Sequence, residues 1–197
     1  YSSFVDQVKA AEAALAPPGT ALPVTEAVAR YLFKLMAYKD EYEVARLHTD
    51  AAFSDKIASM FEGDYKLVHH LAPPAIAKRN NHGELVKQPF GPWMRTAFVW
   101  LAKLRSLRGG ALDPFGRTEE RRTERALIGE YRAAIDELLT DLSAERMALA
   151  VEIARIPEDI RGYGHVKARH LEAARVKWAA LTQRWRAVTP AGVARAA

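Results

Sequence analysis

Apolar residues recur three and four positions apart over most of the chain, a spacing that predicts helix far more often than strand. Residues 2–15 read as a first helix, with Ser2 or Ser3 as its cap and Pro17-Pro18-Gly19 as its stop. A second helix is expected from about Val24, with Val28, Leu32, Leu35 and Met36 on one face. After a break, 40–47 continues helical. Asp50 then caps a helix over 51–62, in which Phe53, Ile57, Met60 and Phe61 share a face, and Gly63-Asp64 ends it. Pro92 in a first turn opens a helix over 92–107 that is apolar on most sides and therefore expected to be buried; Gly109-Gly110 closes it. Thr118, followed by Glu119 and Glu120, starts a long helix to about Leu142. Its Ile128, Tyr131, Ile135, Leu138 and Leu142 form an apolar seam, repeated in the last helix by Leu171, Ala174, Trp178, Leu181, Trp185 and Val188. Two such seams predict long helices packed antiparallel. Ser143 caps the helix between them, while Pro157 and Gly162-Tyr163-Gly164 break the path.

The pattern changes over 65–88. Short extended-looking runs at 66–71 and 84–88 flank Pro73-Pro74 and the turn-prone Asn80-Asn81-His82-Gly83, which predicts a small β-hairpin or an ordered loop. The fold class expected is all-α: an irregular helical bundle with a small hairpin, formed as one domain over 1–197.

Composition narrows the chemistry. At 197 residues and 49 % hydrophobic content the chain can bury one sizeable core. It has no cysteine, so it offers no thiolates for an iron–sulfur cluster or for most structural zinc sites. A formal charge of +5 and a sequence pI near 9.5 favour acidic partners in general. No apolar run approaches the roughly 18 residues of a membrane span, and no secretory leader pattern opens the chain, so a cytoplasmic protein is expected. Because the chain opens at Tyr1 and is helical almost at once, it reads as a fragment of a larger polypeptide, with 1–16 as a helix linking to a preceding domain.

Five stretches are denser than helix periodicity requires: AYKDEYEVARLHTD at 37–50, FEGDYKLVHHLAPP at 61–74, FGPWM at 90–94, LRGGALDPFGRTEERRTER at 107–125 and RIPEDIRGYGHVK at 155–167. In this order, over about residues 24–180, they resemble the C-terminal helical domain of the single-chain indolepyruvate ferredoxin oxidoreductases, members of the 2-oxoacid:ferredoxin oxidoreductase family. That resemblance implies a parent enzyme that oxidatively decarboxylates arylpyruvates to acyl-CoA and passes electrons to ferredoxin. It uses thiamine diphosphate, magnesium and iron–sulfur clusters, whose motifs lie in other domains. For this chain the resemblance implies a structural role: packing on other domains of the same polypeptide, completing a homo-oligomeric subunit interface and presenting a basic face to ferredoxin. No cofactor and no turnover are expected of the chain alone.

Several local patterns invite a catalytic reading and are weighed against plainer ones. Gly63-Asp64 with Asn80-Asn81 echoes a thiamine-diphosphate motif, but Tyr65 replaces its second glycine and the spacer is too short. Gly162-Tyr163-Gly164 lacks the third glycine of a dinucleotide fingerprint, since Lys167 stands there, and reads as a hinge. His165 and His170 are five apart, off the alignment that puts two ligands on one helix face. Of His69 and His70, adjacent on an extended run, one should face inward, as a core histidine or a functional one. Asp40, Glu41 and Glu43 beside Lys39 and Arg46 read as an ion-pair face or an inter-domain contact. The strongest candidate is Arg105, Arg108, Arg117, Arg121 and Arg122, where guanidinium groups and Gly109-Gly110 converge on the start of the long helix, a setting suited to an anion such as the CoA phosphates. The plainer reading pairs these arginines with Asp113, Glu119, Glu120 and Glu124. Aromatics are not interleaved with this cluster, which leaves nucleic acid a weak third.

Overall fold

The computed structural model describes residues 1–73, 77–81 and 86–187. In chain order the elements are α1 (Ser2–Ala13), α2 (Pro23–Met36), α3 (Glu41–Thr49), α4 (Ala51–Met60), β1 (His69–Leu71), β2 (Gln88–Phe90), α5 (Met94–Lys103), α6 (Glu119–Thr140), α7 (Met147–Ala154) and α8 (Gly164–Ala187). Short 3-10 turns lie at Leu104–Leu107, Ala144–Arg146 and Ile156–Asp159. The fold is a helical bundle with one small antiparallel hairpin, as the periodicity predicts. Two compact units divide it: the chain ends, 1–38 and 122 onward, form one, and 39–121 the other. No helix among the described residues is long and apolar enough to cross a membrane.

The unit of the chain ends is built on apolar seams. Phe4 and Val8 of α1 join Val24, Val28 and Leu32 of α2, Leu127, Tyr131, Ile135 and Leu138 of α6, Ile153 of α7, and Leu181 and Trp185 of α8. The cap expected of Ser2 or Ser3 is not made, because α1 starts at Ser2 behind Tyr1 with no side-chain bond, and α2 starts behind Leu22, which offers none either. Pro23 at the first helical position suits α2, and Glu12, reaching over from α1, supplies the missing acceptor. Its carboxylate, 1 % exposed, accepts from Val24 N (2.9 Å), Thr25 N (2.7 Å) and Thr25 Oγ1 (2.7 Å). That arrangement satisfies N–H groups that a helix start leaves without an internal partner.

The two long seams meet, but not antiparallel. Glu124 pairs with Lys167, Glu130 with Arg175 (3.0 Å) and Glu137 with Arg186 (2.6 Å), so the pairs climb both helices in step and α6 and α8 run parallel. The returning segment explains the difference. Residues 141–163 carry the chain back along α8, where Glu152 meets Arg184 (3.8 Å) and Asp159 meets Lys177 (2.7 Å), so it is this segment that lies antiparallel to α8. Arg146 is buried there, its guanidinium 3.7 Å from the Trp185 ring centroid while it donates to the carbonyls of Trp185 and Asp141. At the entry to α8, Gly162 has a φ of +90°, and a Cβ would stand 2.8 Å from Val166 Cγ1, so the break needs glycine. Val188, expected in the α8 seam, lies outside the described residues.

The unit over 39–121 packs α3 on α5, with Ala45, Met94 and Phe98 buried and Leu71, Phe90 and Leu101 around them. Asp40 caps α3 by accepting from Glu43 N (2.9 Å), and Asp50 caps α4 through Ala52 N (2.9 Å). The hairpin is shorter than the extended runs suggest and shifted along the chain, pairing His69 with Phe90, His70 with Pro89 and Leu71 with Gln88. Pro74, His82 and Gly83, which the sequence places in the intervening turns, and Glu84, which it places in the second extended run, lie outside the described residues. Expected to be buried on most sides, the 92–107 helix instead buries one face and ends early, passing into the 3-10 turn at Leu104.

Candidate functional site

Arginines expected to converge are dispersed, and carboxylates of the α3 start hold two of them. Arg108 pairs with Asp40, which is buried, and Arg121, also buried, lies 3.4 Å from Glu41. Arg117 donates to the Ala111 carbonyl (2.6 Å). Arg122 is exposed on α6 and belongs to the unit of the chain ends. Arg105 and Arg108 do come together, joined by Arg46, around a cavity of about 340 Å³ that Asp40, Tyr42 and Glu43 also line. Two of its cations already face carboxylates, since Arg46 pairs with Glu43 (2.7 Å) and Arg108 with Asp40.

Asp113, assigned by sequence to an arginine, is instead the anchor of the 108–118 loop. It is 3 % exposed and accepts from Gly109 N (2.7 Å), Gly116 N (2.9 Å), Phe115 N (3.0 Å) and the Tyr42 hydroxyl (3.2 Å). Burial pushes its carboxyl up, but these donors favour the charged form and hold it below the usual carboxylate range. The same burial, with Asp113 beside it, raises Tyr42. Gly109, at a φ of +72°, presents its amide to this carboxylate. Thr118 Oγ1 accepts from Arg121 N (3.4 Å) at the start of α6, in the capping position the sequence predicts.

His69 faces inward on β1 and is buried; His70 is exposed, following strand alternation. The inward ring meets a partner that sequence reasoning missed, His48 of α3. His48 stacks on Phe98 (centroids 5.1 Å, 15°) and meets His69 and Phe53 edge-on at 5.1 and 5.2 Å. Burial lowers both imidazole pKa values, and for His48 the neighbouring His69 adds to the shift. Neutral imidazoles therefore sit in this aromatic box near pH 7. Among the described residues no three His, Cys, Asp or Glu side chains gather closely enough to hold a metal ion.

The outer face of α5 is the surface that periodicity could have found. Met94, Phe98 and Leu101 turn inward, whereas Trp93, Ala97, Trp100 and Leu104, spaced four, three and four apart, all turn outward. Trp93, Trp100 and Leu104 remain 61 %, 64 % and 48 % exposed. Phe90 meets the Trp93 ring edge-on, and the Lys103 ammonium lies 5.1 Å from the Trp100 centroid. The apolar residues on most sides of 92–107 thus divide into a buried face and a second, exposed seam, and the four-three-four spacing of the latter is its legible signal.

Residues 1–180 match the model of a family of unknown function, DUF6537. No curated protein and no solved structure matches the chain.

Proposed function

The chain belongs to the DUF6537 family, and from that premise we propose that it is a non-catalytic interface domain of an indolepyruvate ferredoxin oxidoreductase, packing on other domains of the same polypeptide and contributing to a homo-oligomeric subunit contact. In the parent enzyme, thiamine diphosphate, magnesium and iron–sulfur clusters would be held elsewhere, and the reaction would be oxidative decarboxylation of arylpyruvates in the cytoplasm with ferredoxin as acceptor. The observation that carries the reading is the outer α5 stripe. Two tryptophans more than half exposed on one helix face are costly to leave in water, and aromatic clusters of this kind mark protein contacts. Hydroxyl-radical labelling tests it directly: Trp93 and Trp100 should be labelled in the isolated chain and protected in the complete polypeptide. Equal labelling in both would overturn the reading.

A second reading, an anion site for CoA phosphates, is supported by the meeting of Arg46, Arg105 and Arg108 at one cavity. It requires Arg105→Ala to weaken binding of coenzyme A to the chain; indifference to that substitution removes it.

A further inference from the structure

The interface reading leaves open what covers α5, and charge narrows the answer. Residues 86–112 contain five cations, Lys87, Arg95, Lys103, Arg105 and Arg108, and no carboxylate. Arg108 is engaged by Asp40, but Arg95, Lys103 and Arg105 are exposed, so the charges that α5 and its following turn show to solvent are all positive. Lys103 sits against the stripe itself, over Trp100. The spacing of Trp93, Ala97, Trp100 and Leu104 is that of a helix–helix seam, in which large side chains flank a small one and leave a hole for a partner's knob.

Resting on the interface reading, we infer that the outer face of α5 receives an amphipathic helix whose apolar seam is bordered by carboxylates. Two alternatives fit less well. A second copy of the same face would set Arg95, Lys103 and Arg105 against the same all-positive set in either helix direction, and like charges across an interface are costly. A nucleic acid strand stacks bases on closely spaced platforms, whereas seven helical positions separate the two tryptophans by roughly 10 Å along the axis.

The test uses the purified chain and two labelled synthetic helices with the same leucine seam, one bordered by glutamates and the other by lysines, followed by fluorescence anisotropy. The glutamate helix should bind saturably and at least about ten-fold more tightly than its lysine twin at low ionic strength, with the gap narrowing as salt is added. Trp100→Ser should abolish binding, and Lys103→Glu with Arg105→Glu should reverse the preference. These positions are exposed, so circular dichroism of each variant should match the parent chain. Equal affinity for the two helices, binding of neither, displacement by oligothymidylate, or a dimer of the chain that Trp100→Ser dissociates would each overturn the inference. Failure here is separable from failure of the interface reading: tryptophans protected in the complete polypeptide, with no preference between the peptides, would keep the interface and discard the acidic partner.

Discussion

The two units hold themselves together by different means. In the unit of the chain ends, large side chains such as Tyr131, Ile135, Leu181 and Trp185 are nearly or wholly buried along continuous seams, with Glu12, Glu124 and Arg146 buried beside them and the Glu130–Arg175 and Glu137–Arg186 pairs at the surface. In the 39–121 unit the buried apolar cluster is small, and carboxylates take over: Asp40 both caps α3 and pairs with Arg108, while Asp113 gathers three amides and a phenol. Hydrophobic burial scales with area and tolerates imperfect geometry, whereas a buried carboxylate stabilises only when every acceptor site is filled. The first unit, Glu12 excepted, should therefore respond mainly to changes of volume and the second mainly to the loss of single polar atoms.

The largest effect is expected from Trp185→Ala, which removes a fully buried ring and the surface on which Arg146 stacks; chemical denaturation should show a loss of about 3–5 kcal/mol. Trp178, only half-buried against Tyr131, should lose less, about 2 kcal/mol. If Trp178→Ala costs as much as Trp185→Ala, the seam is deeper than its exposure indicates. Asp113→Ala should cost about 2–3 kcal/mol by leaving buried amides without an acceptor, and hydrogen exchange should quicken at Gly109, Phe115 and Gly116 while Ile135 keeps its protection. Equal loss of protection in both units would break the contrast between them.

Acid should act on the 39–121 unit through its histidines. His48 and His69 have folded pKa values below the ordinary value of 6.5, so the unfolded chain takes up protons first. Their contribution is present above pH about 6.5 and is lost as pH falls from there through the folded values. The causes are burial and, for His48, its partner His69, so His48→Leu should flatten that part of the stability profile. An unchanged slope would assign the acid sensitivity to other groups. The smallest effect is expected at the ion pair between Glu130 and Arg175, both substantially exposed: Glu130→Ala should change stability by no more than about 0.5 kcal/mol.

Sequence periodicity read the first unit well and the second poorly, for the same reason. The seam residues from Tyr131 to Leu138 and from Leu171 to Trp185 repeat at helical spacing, so their burial is local information; only their relative direction was hidden, because it depends on how 141–163 returns the chain. Asp50 and Thr118 were legible as caps because their acceptors serve amides two or three positions on. In the second unit the pairings are long-range. Asp40 finds Arg108, Glu41 finds Arg121 and His48 finds His69 across loops whose course no local rule specifies. Hence the sequence marks the arginines as a group, but the carboxylates that hold Arg108 and Arg121 are not the nearest ones along the chain.

Glu12 carries a consequence for the order of assembly. Starting a helix is its unfavourable step, and α2 begins behind Leu22, which offers no side-chain acceptor. The acceptor arrives from α1, with a separation of only 12 residues between Glu12 and Val24, so closing that short loop nucleates α2 and docks α1 in one event. Contacts so close along the chain should form early, ahead of the pairing of α1 and α2 with α6, which spans more than eighty intervening residues; φ-values near one at α1–α2 and near zero at α6 would be the expected outcome. The α1–α2 hairpin is thus placed to serve as the template on which the distant half of its unit condenses.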